Sequence, residues 1–424
     1  AAAIDEAMAA RPGRLVPVSV HCMAGDPMYL KPTSDDLAKR FSVKAYPSAV
    51  VDLDSESLIS QSSPELLLSH VDRLLEARGA AAGLRIESTL EGEDLTVETP
   101  IYRMRLKPDG SFASLYDLEL QREWVKPGCG FNRLHIWADH PGMYDAWDIL
   151  PNYQDVEVEK RLETPVRMTR CEASFAEFRA DFATDKSRWS MIIRLFPDSR
   201  GIEVEHAVDW HEKHVLAKVN FGPDVLSREM VCDTSAGFIR RSLTKNTSWE
   251  QARFEVCHHK WFDISETGAG LAVINTGKYG VGLEGDEVSL SLLRSTIRPD
   301  ITSDMGEHHL RYLILPHAGD AVAAEVNRRA FEYNIPLTSA DVSLPEPWRQ
   351  VLADSDLWLQ SLKLSEDGAR LILRLSEQDG RRLTLPLPAK VQLMNLLEDP
   401  EEEISCLRVH PFEILTLGIP LMKE

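Results

Sequence analysis

The segment GIEVEHAVDW, residues 201–210, alternates apolar and polar side chains, as a strand with one buried face does. Working outward, similar short runs recur about every 8–12 residues, separated by turn pairs such as Pro197-Asp198 and Glu284-Gly285. Further examples are IYRMRLK (101–107), GLAVIN (270–275), VSLSLL (288–293) and RYLILP (311–316). This spacing predicts a large antiparallel β-sandwich and not a series of βαβ units.

The flanking regions have a different texture. After a break at Pro345-Glu346-Pro347, the runs LWLQSLKLS (357–365), ARLILRLSE (369–377) and RRLTLPLP (381–388) predict a small C-terminal β-sandwich. A helix is predicted over residues 322–331. The first 83 residues mix short apolar strands with amphipathic helices and read as α/β. We therefore predict four segments: an α/β domain (1–83), a junction (84–101), a large β-sandwich (102–338) and a small β-sandwich (339–424).

Composition and charge exclude several classes of protein. Lys and Arg number 47 against 67 Asp and Glu, which gives a formal net charge of −20 at pH 7. A field of that sign repels phosphate backbones, so a broad nucleic-acid interface is excluded. No apolar run approaches the ~18 residues of a membrane helix, so we expect no membrane partner. The six cysteines contain no CxxC pair, which argues against a disulfide scaffold or a zinc knuckle.

The N-terminal segment resembles a truncated thioredoxin-like domain over about residues 1–80. The resemblance rests on FSVKAYPSAVV, residues 41–51, which places Pro47 between a predicted helix and a predicted strand. In that fold a cis-proline faces the redox cysteines, but here Cys22 is alone and has no resolving partner. A buried, inert thiol is the favoured interpretation of Cys22. Since no initiator methionine or signal peptide opens the chain, we expect it to be a fragment.

Clusters of aromatic, acidic and histidine residues mark the middle of the chain. They include Tyr144-Asp145-Ala146-Trp147-Asp148, Asp209-Trp210-His211-Glu212, His258-His259-Lys260-Trp261-Phe262-Asp263, and a group running from Asp304 through His308 to His317. An indole offers a sugar an apolar stacking face, and a neighbouring carboxylate accepts hydrogen bonds from its hydroxyls. Buried tryptophans and paired charges at the corners of a sandwich explain the same pattern equally well.

The same stretches resemble glycoside hydrolase family 38 α-mannosidases, most closely the cytosolic-type branch. The resemblance is carried by residues 246–285 (NTSWEQARFEVCHHKWFDISETGAGLAVINTGKYGVGLEG) and by residues 290–320, which continue it. SFASLYDLE (111–119), DAWDI (145–149), VDWHEKHVLAKV (208–219) and LKLSEDGARLILRLSE (362–377) extend it in order along the chain. It spans about residues 102–417 and implies a galactose-mutarotase-like supersandwich for the large β region.

The resemblance also implies an activity whose machinery lies elsewhere. Family members hydrolyse α-mannosidic bonds with retention, using an Asp nucleophile and a divalent metal, usually zinc, in an N-terminal barrel. That barrel would precede residue 100, so no catalytic residue is carried over, and we expect neither catalytic residue nor cofactor in this chain. The implied partners are α-mannosides or mannose-containing glycans, with self-association through the face that would meet the barrel. The branch favours a cytoplasmic location.

The candidate sugar-binding residues are taken from the aromatic clusters. They are Asp145, Trp147 and Asp148 as first choice, with Trp261, Asp263, His308 and His317 as second choice. The adjacent pairs His258-His259 and His308-His309 would point to opposite faces of a strand, which is poor geometry for a metal. Glu203 with Glu205, or Asp145 with Asp148, could form a glycosidase carboxylate pair, but acidic pairs are usually solvated. Two other functions stay open: a carbohydrate-binding module without catalysis, and a redox or partner-docking protein.

Overall fold

The computed structural model describes residues 93–335 and 346–421, apart from Ala173 and Asp354, and the backbone of three short strands before them. Those three strands are β1 (Ser48–Ala49), β2 (Ile59–Ser60), which pairs antiparallel with β1, and β3 (Glu87–Glu91). The predicted helices of the first 83 residues, Cys22 and the thioredoxin-like motif around Pro47 lie outside the described residues. Within the described residues, no helix is long and apolar enough to cross a membrane.

The large β region contains eighteen further strands in the described residues. They are β4 (Asp94–Glu98), β5 (Tyr102–Leu106), β6 (Phe112–Asp117), β7 (Arg122–Glu123), β8 (Phe131–Ala138), β9 (Arg161–Cys171), β10 (Ala176–Ala183), β11 (Arg188–Leu195), β12 (Ile202–Trp210), β13 (Val215–Phe221), β14 (Glu229–Thr234), β15 (Gly237–Ser242), β16 (Glu255–Cys257), β17 (Trp261–Glu266), β18 (Ala269–Asn275), β19 (Gly280–Glu284), β20 (Glu287–Arg294) and β21 (Gly306–Ala318). The predicted strands 201–210, 270–275, 288–293 and 311–316 are all present. The predicted junction, residues 84–101, supplies β3 and β4.

Three antiparallel sheets arise from these strands. One is a meander in the order β3-β4-β5-β6-β7. The second has nine strands in the order β15-β14-β17-β18-β21-β12-β11-β10-β9, and the third has five in the order β16-β19-β20-β13-β8. Strand β12 shows why they pack together, since its alternate residues Ile202, Val204, His206, Val208 and Trp210 are buried while the residues between them are more exposed. The fold is the large antiparallel sandwich that the alternating pattern predicts.

One hydrophobic core joins the three sheets. Met104 and Phe112 of the meander, Phe131 and Val219 of the five-stranded sheet, and Val204 of the nine-stranded sheet all belong to it. Full burial of such side chains contributes about 1.5–3 kcal/mol each, before the entropy of ordering is counted. A polar chain crosses this core: the Trp189 indole donates to His206 Nδ1 at 2.7 Å, and His206 Nε2 lies 3.0 Å from Tyr312 Oη. Because both ring nitrogens have partners, the buried imidazole is tolerated.

Three α-helices and a small sheet complete the part of the chain that the structure describes. A short helix α1 (Ser248–Gln251) is capped by Thr247, and α2 (Val326–Asn334) packs on the outer face of the nine-stranded sheet. The helix predicted at 322–331 begins later, at Val326, because residues 321–325 form a turn. Helix α3 (Glu346–Ala353) leads into the predicted small β unit, ordered β22-β23-β26-β24-β25. Its strands are β22 (Leu357–Leu364), β23 (Arg370–Glu377), β24 (Leu383–Met394), β25 (Pro400–Val409) and β26 (Ile414–Pro420).

Candidate functional site

One end of the large sandwich is rich in loops, and we call it the loop end. It consists of residues 139–150, 211–214 and 295–305, which follow or precede strands β8, β12, β13, β20 and β21. The strand registers bring these segments to one edge, because Val215 lies opposite Ala138, and Leu216 opposite Arg294. Loops at one end of a rigid sandwich are where binding residues commonly gather.

The first-choice candidates lie in one turn of the loop end, residues 139–148, which we call the Trp147 loop. Trp147 is 69% exposed, and its ring meets the 58%-exposed ring of Tyr144 edge to face, with centroids 6.2 Å apart. Asp148 is also exposed, and its backbone N–H donates to the Tyr144 carbonyl at 3.0 Å. The indole face is thus open to solvent, as stacking on a sugar requires.

Asp145 has a different environment from its neighbours. Its side chain is 1% exposed, and Oδ2 accepts a 2.7 Å hydrogen bond from the backbone N–H of Ile297. The other oxygen, Oδ1, is buried without a hydrogen-bond partner. Asp145 therefore fixes the loop against segment 295–305, and its carboxylate does not pair with that of the exposed Asp148 at the surface.

Two more buried polar atoms of the loop end have no partner. They are Asp139 Oδ1 and His214 Nδ1. A buried polar group without a protein partner costs about 1–3 kcal/mol unless a water molecule or a ligand satisfies it. The loop end combines these unsatisfied groups with the exposed aromatic rings of Tyr144 and Trp147.

His308 belongs to the same end of the molecule. It lies in β21, two residues after the start of the strand, and its Nε2 is 2.7 Å from the backbone oxygen of Asp304. Asp304 occupies the preceding turn with a positive φ of 58°, and its Oδ2 accepts from the backbone N–H of Arg294 at 2.9 Å. The structure therefore brings His308 and the Trp147 loop to one end, through Asp304 and Arg294.

Trp261, Asp263 and His317 form a separate, buried group on the outer face of the nine-stranded sheet. Trp261 is 1% exposed, packs beneath α2 and donates from Nε1 to Asn327 Oδ1 at 3.2 Å. His317 Nε2 lies 2.6 Å from Asp263 Oδ2, and the Ser265 hydroxyl donates to Asp263 Oδ1. Both carboxylate oxygens of Asp263 thus have hydrogen-bond partners within the protein, and the three side chains are buried.

The two histidines proposed together, His308 and His317, do not share a site. Both lie in β21, nine positions apart. At roughly 3.3 Å per residue this is about 30 Å, and an odd separation places the side chains on opposite faces of the sheet. The seven candidates thus divide into a loop-end group (Asp145, Trp147, Asp148 and His308) and a buried group (Trp261, Asp263 and His317).

The histidine pairs do not make a metal centre. His258 and His259 lie in the connection between β16 and β17, and not in a strand as predicted. The His258 ring is buried with Nε2 2.8 Å from Asn275 Nδ2, whereas the His259 ring contacts Tyr279. Among the residues described, no group of three or more His, Cys, Asp or Glu side chains is arranged to hold a metal. The zinc implied by the family resemblance therefore has no fitting ligand set in this part of the chain.

The glutamate pair does not have the character of a glycosidase acid and nucleophile. Glu203 and Glu205 both accept from the Arg194 guanidinium, at 3.0 and 2.7 Å. Burial raises the pKa of the Glu205 carboxyl, but hydrogen bonds from His309 and Arg194 outweigh it and hold this pKa below its ordinary value. A general acid needs a raised pKa, so this pair is an ion-pair network on the face of β12.

Sequence reasoning missed a buried ion pair and a cavity in the large β region. A fully buried Lys218 pairs with Glu255 at 2.6 Å, and Glu255 also accepts from the Tyr153 hydroxyl at 3.0 Å. Gly282 makes room for this pair, since a Cβ there would lie 2.6 Å from Glu255 Oε1. A cavity of about 480 Å³ is lined in part by Cys257, His259 and Tyr279, which are close in sequence to Glu255 and Gly282. The run GKYGVG, residues 277–282, is the sequence feature that could have indicated the ion pair. Glycines that recur within a strand often mark a place where other groups approach the backbone closely.

The chain matches two family models in sequence. Residues 97–302 match the glycosyl hydrolases family 38 C-terminal domain, and residues 357–417 match the family 38 C-terminal beta sandwich domain. Human Alpha-mannosidase 2C1 is 31% identical over 359 residues, covering 77% of this chain and 34% of the relative. Alpha-mannosidase G of Dictyostelium discoideum is 29% identical, with 78% and 33% covered. The chain therefore spans about a third of the length of these curated relatives.

Solved structures share the fold. An alpha-mannosidase from Enterococcus faecalis V583 superposes with a TM-score of 0.59 at 12% sequence identity. The superposition covers 79% of this chain and 43% of that one. At this identity the likeness concerns the architecture of the sandwich alone.

Proposed function

Since residues 97–302 and 357–417 belong to the C-terminal region of glycosyl hydrolase family 38 α-mannosidases, we propose that the loop end forms a non-catalytic wall of an α-mannoside site. In a complete enzyme, a retaining, metal-dependent hydrolysis of α-mannosidic bonds would be performed by a catalytic part that this region does not supply. The observation that carries the proposal is the exposed Trp147 indole, held at the tip of a loop by the buried Asp145 carboxylate.

The chemistry of the described residues supports a non-catalytic role. Retaining glycosidases need two carboxyl groups about 5–5.5 Å apart, one of them with a raised pKa. Glu203 and Glu205 are engaged by Arg194, and Asp145 is buried against Ile297 while Asp148 faces solvent. What the loop end offers a sugar is an aromatic face with polar groups around it, which binds and orients but does not cleave.

The assay that tests this proposal is turnover of an aryl α-mannoside by the purified chain with added zinc or cobalt. We expect no metal-dependent turnover, because a nucleophile and its metal provide most of the rate enhancement in such enzymes. Metal-dependent hydrolysis that a single carboxylate substitution abolishes would overturn the proposal. Turnover that persists in every carboxylate variant of the chain would indicate a contaminating hydrolase in the preparation.

A carbohydrate-binding module without catalysis is the second candidate function. The exposed Tyr144 and Trp147 rings favour it, since an aromatic pair can hold a sugar without any catalytic partner. Calorimetric titration with methyl α-mannoside, and with methyl β-galactoside as a matched control, distinguishes the two functions. Micromolar binding selective for the mannoside supports an independent module, and millimolar binding with the same selectivity supports a wall completed by a second part. The absence of mannoside-selective binding would contradict both.

We also propose a cytoplasmic location and self-association through the face that would meet the catalytic barrel, to which we assign the loop end. The location rests on the resemblance to the cytosolic-type branch of the family. Self-association rests on apolar side chains that the loop end leaves in solvent, and contiguous patches of this kind favour contact between molecules. These exposed side chains are Met143 (67%), Tyr144 (58%), Trp147 (69%), Leu150 (40%) and Ile301 (61%).

A further inference from the structure

We propose that Arg294 is a positioning residue that clasps both ends of the Trp147 loop and so presents the indole in the orientation that stacks on an α-mannoside. The identity of the ligand rests on the function proposed above. The clasp itself rests on contacts that do not depend on the ligand.

The guanidinium of Arg294 reaches both ends of the loop. Its Nε donates to Asp139 Oδ2 at 2.6 Å, where the loop begins, and Asp139 is 2% exposed. Its Nη2 donates to the backbone oxygen of Asp148, where the loop ends. The side chain is only 18% exposed, and its bond to the buried Asp139 is partly shielded from water and therefore stronger than that of a surface pair, whereas its bond to Asp148 lies at the surface.

The same segment also holds the middle of the loop. Three residues after Arg294, the backbone N–H of Ile297 donates to Asp145 Oδ2 at 2.7 Å. Residues 294–297 thus contact the loop at its beginning, middle and end. Between these anchors, Met143, Tyr144 and Trp147 are exposed, so the loop is fixed at its base and open at its tip.

This arrangement has a consequence for binding. A loop that must be ordered by its ligand binds more weakly, because part of the interaction free energy offsets the lost conformational entropy. A loop fixed beforehand avoids that loss. The planar guanidinium suits the role, since it donates to two acceptors in fixed directions, which the single ammonium of lysine cannot reproduce.

The test uses the full chain labelled with 5-fluorotryptophan, with the Trp147 ¹⁹F resonance assigned by its loss in Trp147→Phe. Arg294→Met should shift or broaden the Trp147 resonance and weaken methyl α-mannoside binding about tenfold. Arg294→Lys should recover part of the loss, since the ammonium can still pair with Asp139. If Arg294→Met does not fold, Asp139→Asn removes the charged partner at nearly constant volume and should displace the same resonance.

Arg122→Met is the matched control. Arg122 is 21% exposed and also contacts a carboxylate, Glu266 at 2.9 Å, and a backbone oxygen, that of Asp224 at 2.6 Å. It lies 4.3 Å from the Trp124 ring centroid, so its substitution should move the Trp124 resonance and leave that of Trp147 unchanged.

Two failures are distinguishable. An unchanged Trp147 resonance in a folded Arg294→Met overturns the clasp. A wild-type Trp147 resonance that does not respond to saturating methyl α-mannoside, while Arg294→Met still displaces it, overturns the sugar-binding function and leaves the clasp supported.

Discussion

The loop end and the group beneath α2 have similar sequences and opposite environments. DAWD (145–148) and WFD (261–263) each place an aromatic residue beside an aspartate, yet Trp147 is 69% exposed and Trp261 is 1% exposed. Asp263 has both oxygens occupied, by Ser265 and His317, whereas Asp145 has one oxygen without a partner. Residue type alone therefore does not determine the environment of a side chain, and of these two groups it is the loop end that leaves an aromatic ring open to solvent.

The largest expected effect concerns the buried member of the comparison. Trp261→Ala should lower the free energy of unfolding by roughly 3–5 kcal/mol, because it opens a cavity beneath α2 and removes the hydrogen bond to Asn327. Urea denaturation measures the loss. Trp249→Ala is the control, since that ring is 79% exposed and its removal should change stability by less than about 0.5 kcal/mol. Equal losses in the two variants would contradict the distinction.

Acid should lower the free energy of unfolding through two buried histidines of the sandwich, His206 and His258. Burial lowers the pKa of both His206 and His258 to about 3, whereas the unfolded value is about 6.5. Between these values the unfolded chain binds protons that the folded chain does not. The contribution of the two neutral rings to the unfolding free energy is therefore fully present above about pH 6.5. Below that pH it falls by about 1.4 kcal/mol per pH unit for each ring, until the pH reaches about 3.

Urea midpoints at pH 7, 6 and 5 measure this dependence. His206→Gln should reduce the slope of unfolding free energy against pH by the contribution of one ring, about 1.4 kcal/mol per pH unit, even if the variant is less stable at every pH. A stability that stays flat from pH 7 to pH 5 in the wild-type chain would show that the two imidazoles are not held neutral by burial.

A smaller effect is expected at the exposed member. Trp147→Ala should leave the unfolding free energy within about 0.5 kcal/mol of wild type but weaken α-mannoside binding by about 1 kcal/mol, the scale of one stacked aromatic contact. Thermal melts beside calorimetric titration separate the two quantities. A large fall in melting temperature with unchanged affinity would place Trp147 in the supporting structure and not in the site.

The smallest effect concerns association between copies. Substituting both Tyr144 and Trp147 by Ser should lower the average mass seen by light scattering at high concentration, because the apolar area of the loop end is reduced. Leu397→Ser is the control, since that side chain is 83% exposed but lies in the small β unit. A monodisperse monomer for the unsubstituted chain at the highest concentration would contradict the proposed self-association.

The sequence predicted the architecture well for a physical reason. Alternation with a period of two is imposed by a sheet with one buried face, and runs such as 201–210 and 288–293 show it directly. The start of α2 was placed too early because residues 321–325 are compatible with helix but form a turn instead. The connection between β16 and β17 has no periodic pattern of its own. The sequence therefore does not show that His258 and His259 lie between two strands and not within one.

The candidate site was only partly predictable. The sequence located the exposed Trp147 because a turn-rich stretch rarely buries its aromatic residue. It ranks Trp147 above Trp261 but could not show that Trp261 is buried, since this burial depends on α2, which comes about sixty residues later in the chain. Arg294 was also beyond reach, because its contacts with Asp139 and Asp148 join residues far apart in sequence. Tertiary contacts of this kind leave no local pattern.

The proposed role of the loop end is tested most directly by comparing Trp147 with an exposed tryptophan outside the loop end in one sample. Hydroxyl-radical footprinting with mass spectrometry measures oxidation of Trp147 (69% exposed) and of Trp249 (79% exposed), in methyl α-mannoside and in the same concentration of methyl β-galactoside as a matched scavenger. The account predicts that the mannoside lowers the oxidation of Trp147 relative to Trp249 and that the galactoside does not. An identical ratio in the two sugars would contradict the assignment of the loop end as an α-mannoside-binding wall.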